Sequence, residues 1–233
     1  MDTPALATFC LIHGAWHDGS SWGPLVPYLQ DLGHDAVAPD LPYHDPAAGF
    51  EERVQPALEA LDGVDGDIVV VGHSLGSGYA PLVAVARPGS RLVHLCPRLG
   101  PFAPPPGTPR PFRNGFPFPP ARPDGMSVWE PEAAVAALYP RLPPATARSL
   151  AQRLRPLAPP AGDFPLPGHP DVPTVLVYAA DDECFEPAFE RFMARELLGI
   201  EPIEIPGGHF PMIEGPEALA DLLDRLAHAA FAS

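Results

Sequence analysis

Short runs of β-branched and other apolar residues recur along the chain, each followed by Gly, Pro, Asp or His. They are "TFCLIHG" (8–14), "DAVAPDLP" (35–42), "DIVVVGHS" (67–74), "RLVHLCP" (91–97), "TVLVYAADD" (174–182) and "EPIEIPG" (201–207). Runs this short and apolar read as strands covered on both faces. Longer segments separate them: "SWGPLVPYLQDLG", "FEERVQPALEALDG", "LGSGYAPLVAVARPG" and "EPAFERFMARELLG". In the last segment, "GPEALADLLDRLAHAAFA", apolar residues recur every three or four positions and Pro216 takes a first-turn position. Strands alternating with helices predict an α/β fold built on a doubly wound, mostly parallel sheet of about six strands.

One region breaks this rhythm. From Pro97 to Pro173 the chain holds 22 of its 36 prolines, a density that excludes sheet and long helix interiors. Within it, "MSVWEPEAAVAALYPRL" and "PPATARSLAQRLRPL" predict two short helices bounded by proline. The stretch is too broken for a core of its own. It is expected to be an insertion, 98–172, in a single domain of residues 1–233 whose core comprises 1–97 and 173–233. A plain connector is one reading of it; a small helical cap over a site is the favoured one, because long loops inside compact domains are usually functional.

Composition narrows the function classes. The 233 residues carry a net charge of −15, and all 14 basic residues are arginine. Such a balance disfavours nucleic acid or an anionic membrane surface as partner. Cys10, Cys96 and Cys184 are widely spaced with no CxxC, which predicts neither a disulfide framework nor a zinc site and points to a reducing cytoplasm. No basic leader precedes a long apolar stretch, and no apolar run approaches the roughly 18 residues of a membrane span.

The third apolar run ends in Gly72-His73-Ser74-Leu75-Gly76, a G-x-S-x-G followed by a helix-like segment. A strand turning directly into a helix forces the turn residue into a strained conformation, and glycines two before and two after remove side chains that would collide. Ser74 is then either an exposed nucleophile or a simple helix cap. A nucleophilic serine needs a base, usually histidine, oriented by a carboxylate. Later strand ends supply both: Asp181-Asp182-Glu183 follow "TVLVYA", and Gly207-Gly208-His209 follow "EPIEIP". His228, the other histidine beyond the acids, falls inside the terminal helix. The order Ser, acid, His is one of the known orders for a catalytic triad. His13 and His17 lie four apart, but with no third ligand or HExxH frame no metal is expected, nor any other cofactor.

Together these motifs resemble the α/β-hydrolase superfamily over essentially the whole chain. "LIHGAWHDGSSWGPLVPYLQDLGHDAVAPDLP" is similar to the start of the branch containing plant methylesterases, hydroxynitrile lyases and small bacterial esterases, and "GGHFPMIEGPEALADLL" matches its end. The resemblance implies an α/β-hydrolase fold beginning at the strand that is third in the full fold. It places the acid three residues beyond the small residue that ends its strand. With Ala179 in that role Asp182 is selected, with Asp181 second. It also implies an oxyanion hole formed by the backbone N–H groups of Leu75, just after the nucleophile, and Ala15.

The implied function is a serine hydrolase that cleaves a small, largely apolar carboxylic ester, thioester or lactone through Ser74, His209, Asp182 and an acyl-enzyme. Trp16, Phe102, Trp129, Tyr139, Phe185 and Phe210 are candidates to line an apolar pocket under the cap. The alternatives are a lyase or cyclase on the same fold, or a ligand-binding protein that retains it. Lyases of this branch carry threonine where Gly14 stands and lysine where Phe210 stands, which counts against cyanohydrin chemistry. Ser74 excludes the mechanism of superfamily members with an aspartate nucleophile. The stretch "ALYPRLPP" departs from the cap motifs expected in close bacterial relatives by lacking their usual polar residues after the tyrosine. The expected partner is therefore a small-molecule ester.

Overall fold

The structure, a computed structural model, describes residues 6–100 and 102–229. Six strands, β1 (Ala7–Ile12), β2 (Asp35–Val37), β3 (Asp67–His73), β4 (Arg91–Leu95), β5 (Thr174–Ala179) and β6 (Ile203–Ile205), form one sheet in the order β2-β1-β3-β4-β5-β6. Every pairing is parallel. The central strands follow the apolar runs closely. The edge strands are shorter than their runs because proline interrupts the ladder: Pro39 and Pro42 follow β2, while Pro202 and Pro206 flank β6.

Alternation along the strands divides the core between two faces. Phe9, Leu11, Val69, Val71, Val93 and Leu95 belong to one apolar cluster. This cluster also contains residues of α1 (Val26–Asp31), α6 (Pro187–Glu196) and α8 (Pro216–His228). Cys10, Ile12, Ile68, Val70 and Leu92 face the other way, with residues of α2 (Phe50–Ala60) and α3 (Ala80–Ala86). The helices therefore flank the sheet on both sides, as a doubly wound arrangement requires.

After β3 the chain does not enter an α-helix at once. Residues Ser74–Gly78 form a 3₁₀ turn, and α3 starts only at Ala80. Gly76, Ser77 and Gly78 are poor helix formers, and Pro81 lacks the N–H needed deeper in a helix, so regular helix begins around it. A second unanticipated element, α7 (Pro211–Glu214), directly follows His209. Between β4 and β5 lie α4 (Pro131–Leu138) and α5 (Pro144–Ala151), packed together and each opening on proline; most of the remaining segment is irregular. Among the described residues no helix is long and apolar enough to cross a membrane.

The chain order places β1 beside both β2 and β3, so the connections leave β1 and β3 in opposite directions. Ligands of open α/β sheets gather at the carboxyl ends of strands around such a switch point. Gly14 and Ser74 stand at those two ends.

Candidate active site

Ser74 has φ +50°, a left-handed value that non-glycine residues rarely adopt. Space explains the glycines around it. A Cβ on Gly72 would lie 2.7 Å from Ser77 Cα, and one on Gly76 would lie 2.5 Å from Ile12 O and 2.6 Å from His13 O. A Cβ on Gly14 would reach His73 Nδ1 at 2.9 Å and Ser74 Cβ at 3.2 Å. The turn after β1 is thus pressed against the serine itself. Ser77 Oγ caps the strand end by donating to Gly72 O at 2.5 Å.

His209 is buried, and its Nδ1 lies 2.7 Å from Asp182 Oδ2. The other carboxylate oxygen accepts the amides of Cys184 and Phe185 at 2.7 and 2.8 Å. Asp182 is fully buried and its acceptors face three donors, so the carboxylate has one orientation. Asp181 points elsewhere, pairing with Arg141 at 3.4 Å. Burial works against a charge on His209, but the Asp182 carboxylate and its hydrogen bond outweigh that and raise the imidazole pKa above 6.5. The loop itself is clamped: Glu183 Oε2 accepts the His209 amide at 3.1 Å, and Glu214 Oε2 accepts the Gly208 amide at 2.9 Å. Burial lifts the Glu183 carboxyl to about 7.

Ser74 and His209 line one cavity of about 290 Å³, together with Gly14, Ala15 and Leu75. Ser74 Oγ makes no hydrogen bond to the imidazole, and without substrate such contacts are often long. The Ala15 amide makes no hydrogen bond to the described protein, and the Leu75 amide sits in the first turn of the 3₁₀ segment, where N–H groups lack intrahelical partners. Two unpaired donors therefore flank the serine.

Of the aromatic residues expected at the pocket, Trp16, Phe185 and Phe210 line the cavity. Phe102, Trp129 and Tyr139 do not reach its wall. Phe102 packs edge-on to Phe164 and beside His169. Trp129 backs Trp16 at 5.6 Å between ring centres, and Tyr139 backs His17, to which it is hydrogen bonded. The wall instead recruits Phe112, Phe116 and Phe118 from the proline-rich segment. Their one sequence signal is density: three of the chain's 12 phenylalanines fall within 112–118. His73 is a further unanticipated contributor. Its Nε2–H donates to His209 O at 2.8 Å, joining the serine turn to the histidine loop. As the variable position of G-x-S-x-G it carries no motif constraint.

Among the described residues, two groups of side chains bring metal-type donors together: Cys96, Asp182 and His209, and His34, Asp224 and His228. In the first, Asp182 and His209 Nδ1 are bonded to each other, and burial pushes the Cys96 thiol well above its usual range. In the second, the Ala7 amide donates to His34 Nδ1 at 3.2 Å, leaving the ring proton on the Nε2 that faces Asp224. Neither presents a set of free lone pairs. His13 and His17 are likewise engaged: His13 Nε2 accepts the Leu41 amide at 2.9 Å, and burial pushes both rings down to about 4.

A pyrethroid hydrolase from Sphingobium wenxiniae is 28% identical over 251 residues, which cover 94% of this chain and 87% of that protein. Salicylic acid-binding protein 2 from Nicotiana tabacum is 36% identical over 81 residues, covering 29% of this chain and 30% of its own. Among solved structures, a pyrethroid hydrolase from Sphingobium faniae JZ-2 superposes with TM-score 0.76 at 24% identity, covering 96% of this chain and 98% of that one. Polyneuridine aldehyde esterase superposes with TM-score 0.74 at 19% identity, covering 95% and 99%. The Sphingobium wenxiniae relative, which matches over nearly the whole chain, is a hydrolase by name, which supports hydrolase activity here. The family-wide sequence pattern matches residues 11–222, and with the all-parallel sheet and the strained serine between β3 and α3 it shows that this chain belongs to the Alpha/beta hydrolase family.

Proposed function

We propose that the protein is a carboxylic ester hydrolase that uses Ser74 as nucleophile, His209 as general base and acid, and Asp182 as the residue that orients the imidazole. In this reading Ser74 Oγ attacks the acyl carbonyl carbon while His209 Nε2 takes the hydroxyl proton. The 2.7 Å bond to Asp182 keeps the resting proton on Nδ1 and stabilises the imidazolium that forms. The carbonyl oxygen, now negative, is received by the Ala15 and Leu75 amides. His209 returns its proton to the departing alkoxide, and water then repeats the sequence on the acyl-enzyme.

The observation that carries this reading is the conjunction of a left-handed Ser74 and a buried His209–Asp182 pair on one cavity. The cavity wall supports an apolar substrate. Phe112 stacks on Phe185 at 5.0 Å, Phe118 meets both Phe112 and Phe116, and Phe185 lies 5.3 Å from the His209 ring. This aromatic surface runs from the reacting groups to Phe118, which is 51% exposed. In this reading the segment 98–172 is the cap that supplies that surface, and it favours an ester bearing an aryl or bulky apolar group. A relative named for pyrethroid hydrolysis supports that preference.

A series of p-nitrophenyl and naphthyl esters tests it. Turnover is expected for wild type, with kcat/KM rising from acetate to larger apolar acyl groups, and Ser74→Ala is expected to lose all of it. Full activity in Ser74→Ala, or no turnover of any ester by wild type, contradicts the proposal.

A further inference from the structure

His17 lines the cavity beside Ala15 and Trp16, with both ring nitrogens engaged by the protein. Its Nδ1 lies 2.6 Å from Ala15 O, and its Nε2 lies 2.6 Å from the Tyr139 hydroxyl. A carbonyl oxygen only accepts, so Nδ1 carries the ring proton. The buried ring is neutral, because burial pushes it down to about 4, so Nε2 accepts from Tyr139. Both bonds thus have one direction: Tyr139 donates to His17, and His17 donates to Ala15.

The two ends of this chain of bonds belong to different parts of the molecule. Tyr139 closes α4 in the proline-rich segment, 122 residues away from His17. Ala15 lies in the turn Gly14–His17, closed by a 3.4 Å bond from the His17 amide to Gly14 O. Trp16, the third residue of that turn, has φ +62°, the left-handed value of a type II turn, where glycine is the usual occupant. Rotating the Ala15–Trp16 peptide would give a type I turn and relieve Trp16. The His17 bond to Ala15 O opposes that rotation. The Trp16 indole is pinned as well, donating from Nε1 to Ser127 Oγ at 3.0 Å across the same junction.

We propose that Tyr139 and His17 form a positioning relay that latches the Ala15–Trp16 peptide to the seated proline-rich segment, so that the turn carrying one oxyanion donor is set only when α4 is docked. The inference rests on the esterase reading above, since it assigns the relay to the oxyanion turn of that mechanism. Tyr139 and His17 touch neither the serine nor the imidazole through hydrogen bonds, and act through Ala15.

Tyr139→Phe removes the hydroxyl and keeps the ring that packs against Phe210 at 5.1 Å. Its kcat is expected to fall about tenfold with KM within about twofold, because a loosened donor weakens transition-state binding more than ground-state binding. Inhibition by an aryl trifluoromethyl ketone, whose adduct places an oxyanion in the hole, should weaken by the same factor, while the product acid binds as to wild type. His17→Leu should lose more activity, and His17→Asn, which retains an N–H for Ala15 O, should recover part of that loss. Wild-type kcat in Tyr139→Phe overturns the relay, as does a loss expressed in KM with inhibitor and product binding weakened equally. Should Tyr139→Phe fail to fold, the contrast between His17→Leu and His17→Asn decides: equal activities overturn the relay. Ser74→Ala separates the two levels. If it keeps wild-type turnover the esterase reading falls whatever Tyr139 does; if it is inactive and Tyr139→Phe matches wild type, only the relay falls.

Discussion

A serine at φ +50° is costly backbone, roughly 1–3 kcal/mol for a non-glycine residue, and Ser74 holds it because every neighbour leaves it no alternative. Gly72 and Gly76 admit the tight turn, Gly14 abuts its Cβ, and its carbonyl accepts the Arg98 amide at 3.0 Å. His209 is fixed just as closely, by Asp182 on its ring and by His73 and Glu183 on its backbone. Asp182 and Asp181 provide a direct comparison at this scale. Asp182→Asn should lower kcat by about 10⁴-fold, since the amide favours the wrong imidazole tautomer. Asp181→Asn should change it by less than about threefold, because its exposed pair with Arg141 contributes little. Steady-state kinetics of the two variants checks this, and a large loss at Asp181 contradicts it. The wild-type rate also carries a pH signature. The base must be neutral to accept a proton and its pKa is raised, so kcat/KM should fall on acidification with a midpoint above 6.5. A midpoint below that value contradicts the ion pair's influence.

At the scale of elements, the β3–turn–α3 unit was legible from residues 67–81 because sterics act locally. An apolar run, two glycines and a serine mark the turn within the stretch, whereas the carbonyls of Ile12 and His13 that crowd Gly76 come from the end of β1. The aspartate that meets His209 was nearly legible: adjacent aspartates at a strand end share one pattern, and the spacing implied by the family resemblance, counted from Ala179 at the end of β5, separates them. What the sequence conceals is the back of the site. Glu190 on α6 carries no motif to single it out, yet it is 1% exposed, and neither carboxyl oxygen has a hydrogen-bond partner among the described residues. Burial, with the Asp182 carboxylate adding to it, raises its pKa well above the usual 4.5. The unfolded chain therefore loses this proton near pH 4.5 while the folded protein keeps it. Stability contributed by the protonated form is present at low pH and is lost as pH rises, at about 1.4 kcal/mol per unit until the folded group also ionises. Glu190→Gln removes that dependence. Its melting temperature should gain on wild type between pH 5 and pH 8, with the difference widening as pH rises. A difference that is constant or shrinks with pH contradicts a protonated Glu190.

Over the whole molecule, the sheet order and its two-sided core follow from alternation within each strand. The attachment of segment 98–172 does not, because proline-rich irregular chain has no period to read. Arg53 shows how that attachment works. Its side chain is fully buried and donates to Ala48 O, Asp45 O, Ala158 O, Pro159 O and the Tyr79 hydroxyl at 3.0–3.1 Å. One guanidinium thus ties the end of the segment to the loop ahead of α2. A lysine ammonium has three donors and no planar fork, so Arg53→Lys should lower the unfolding free energy by about 2–4 kcal/mol, measured by urea denaturation. A change within about 0.5 kcal/mol, the range of a surface substitution, contradicts this role. The proposed function turns on Ser74 being an activated nucleophile. Its most direct test is labelling of the folded protein with an aryl fluorophosphonate, followed by mass mapping of the adduct. The account predicts a single phosphonyl adduct on Ser74, absent from Ser74→Ala and much slowed in His209→Ala. No adduct on wild type, or an adduct that persists in Ser74→Ala, would contradict it.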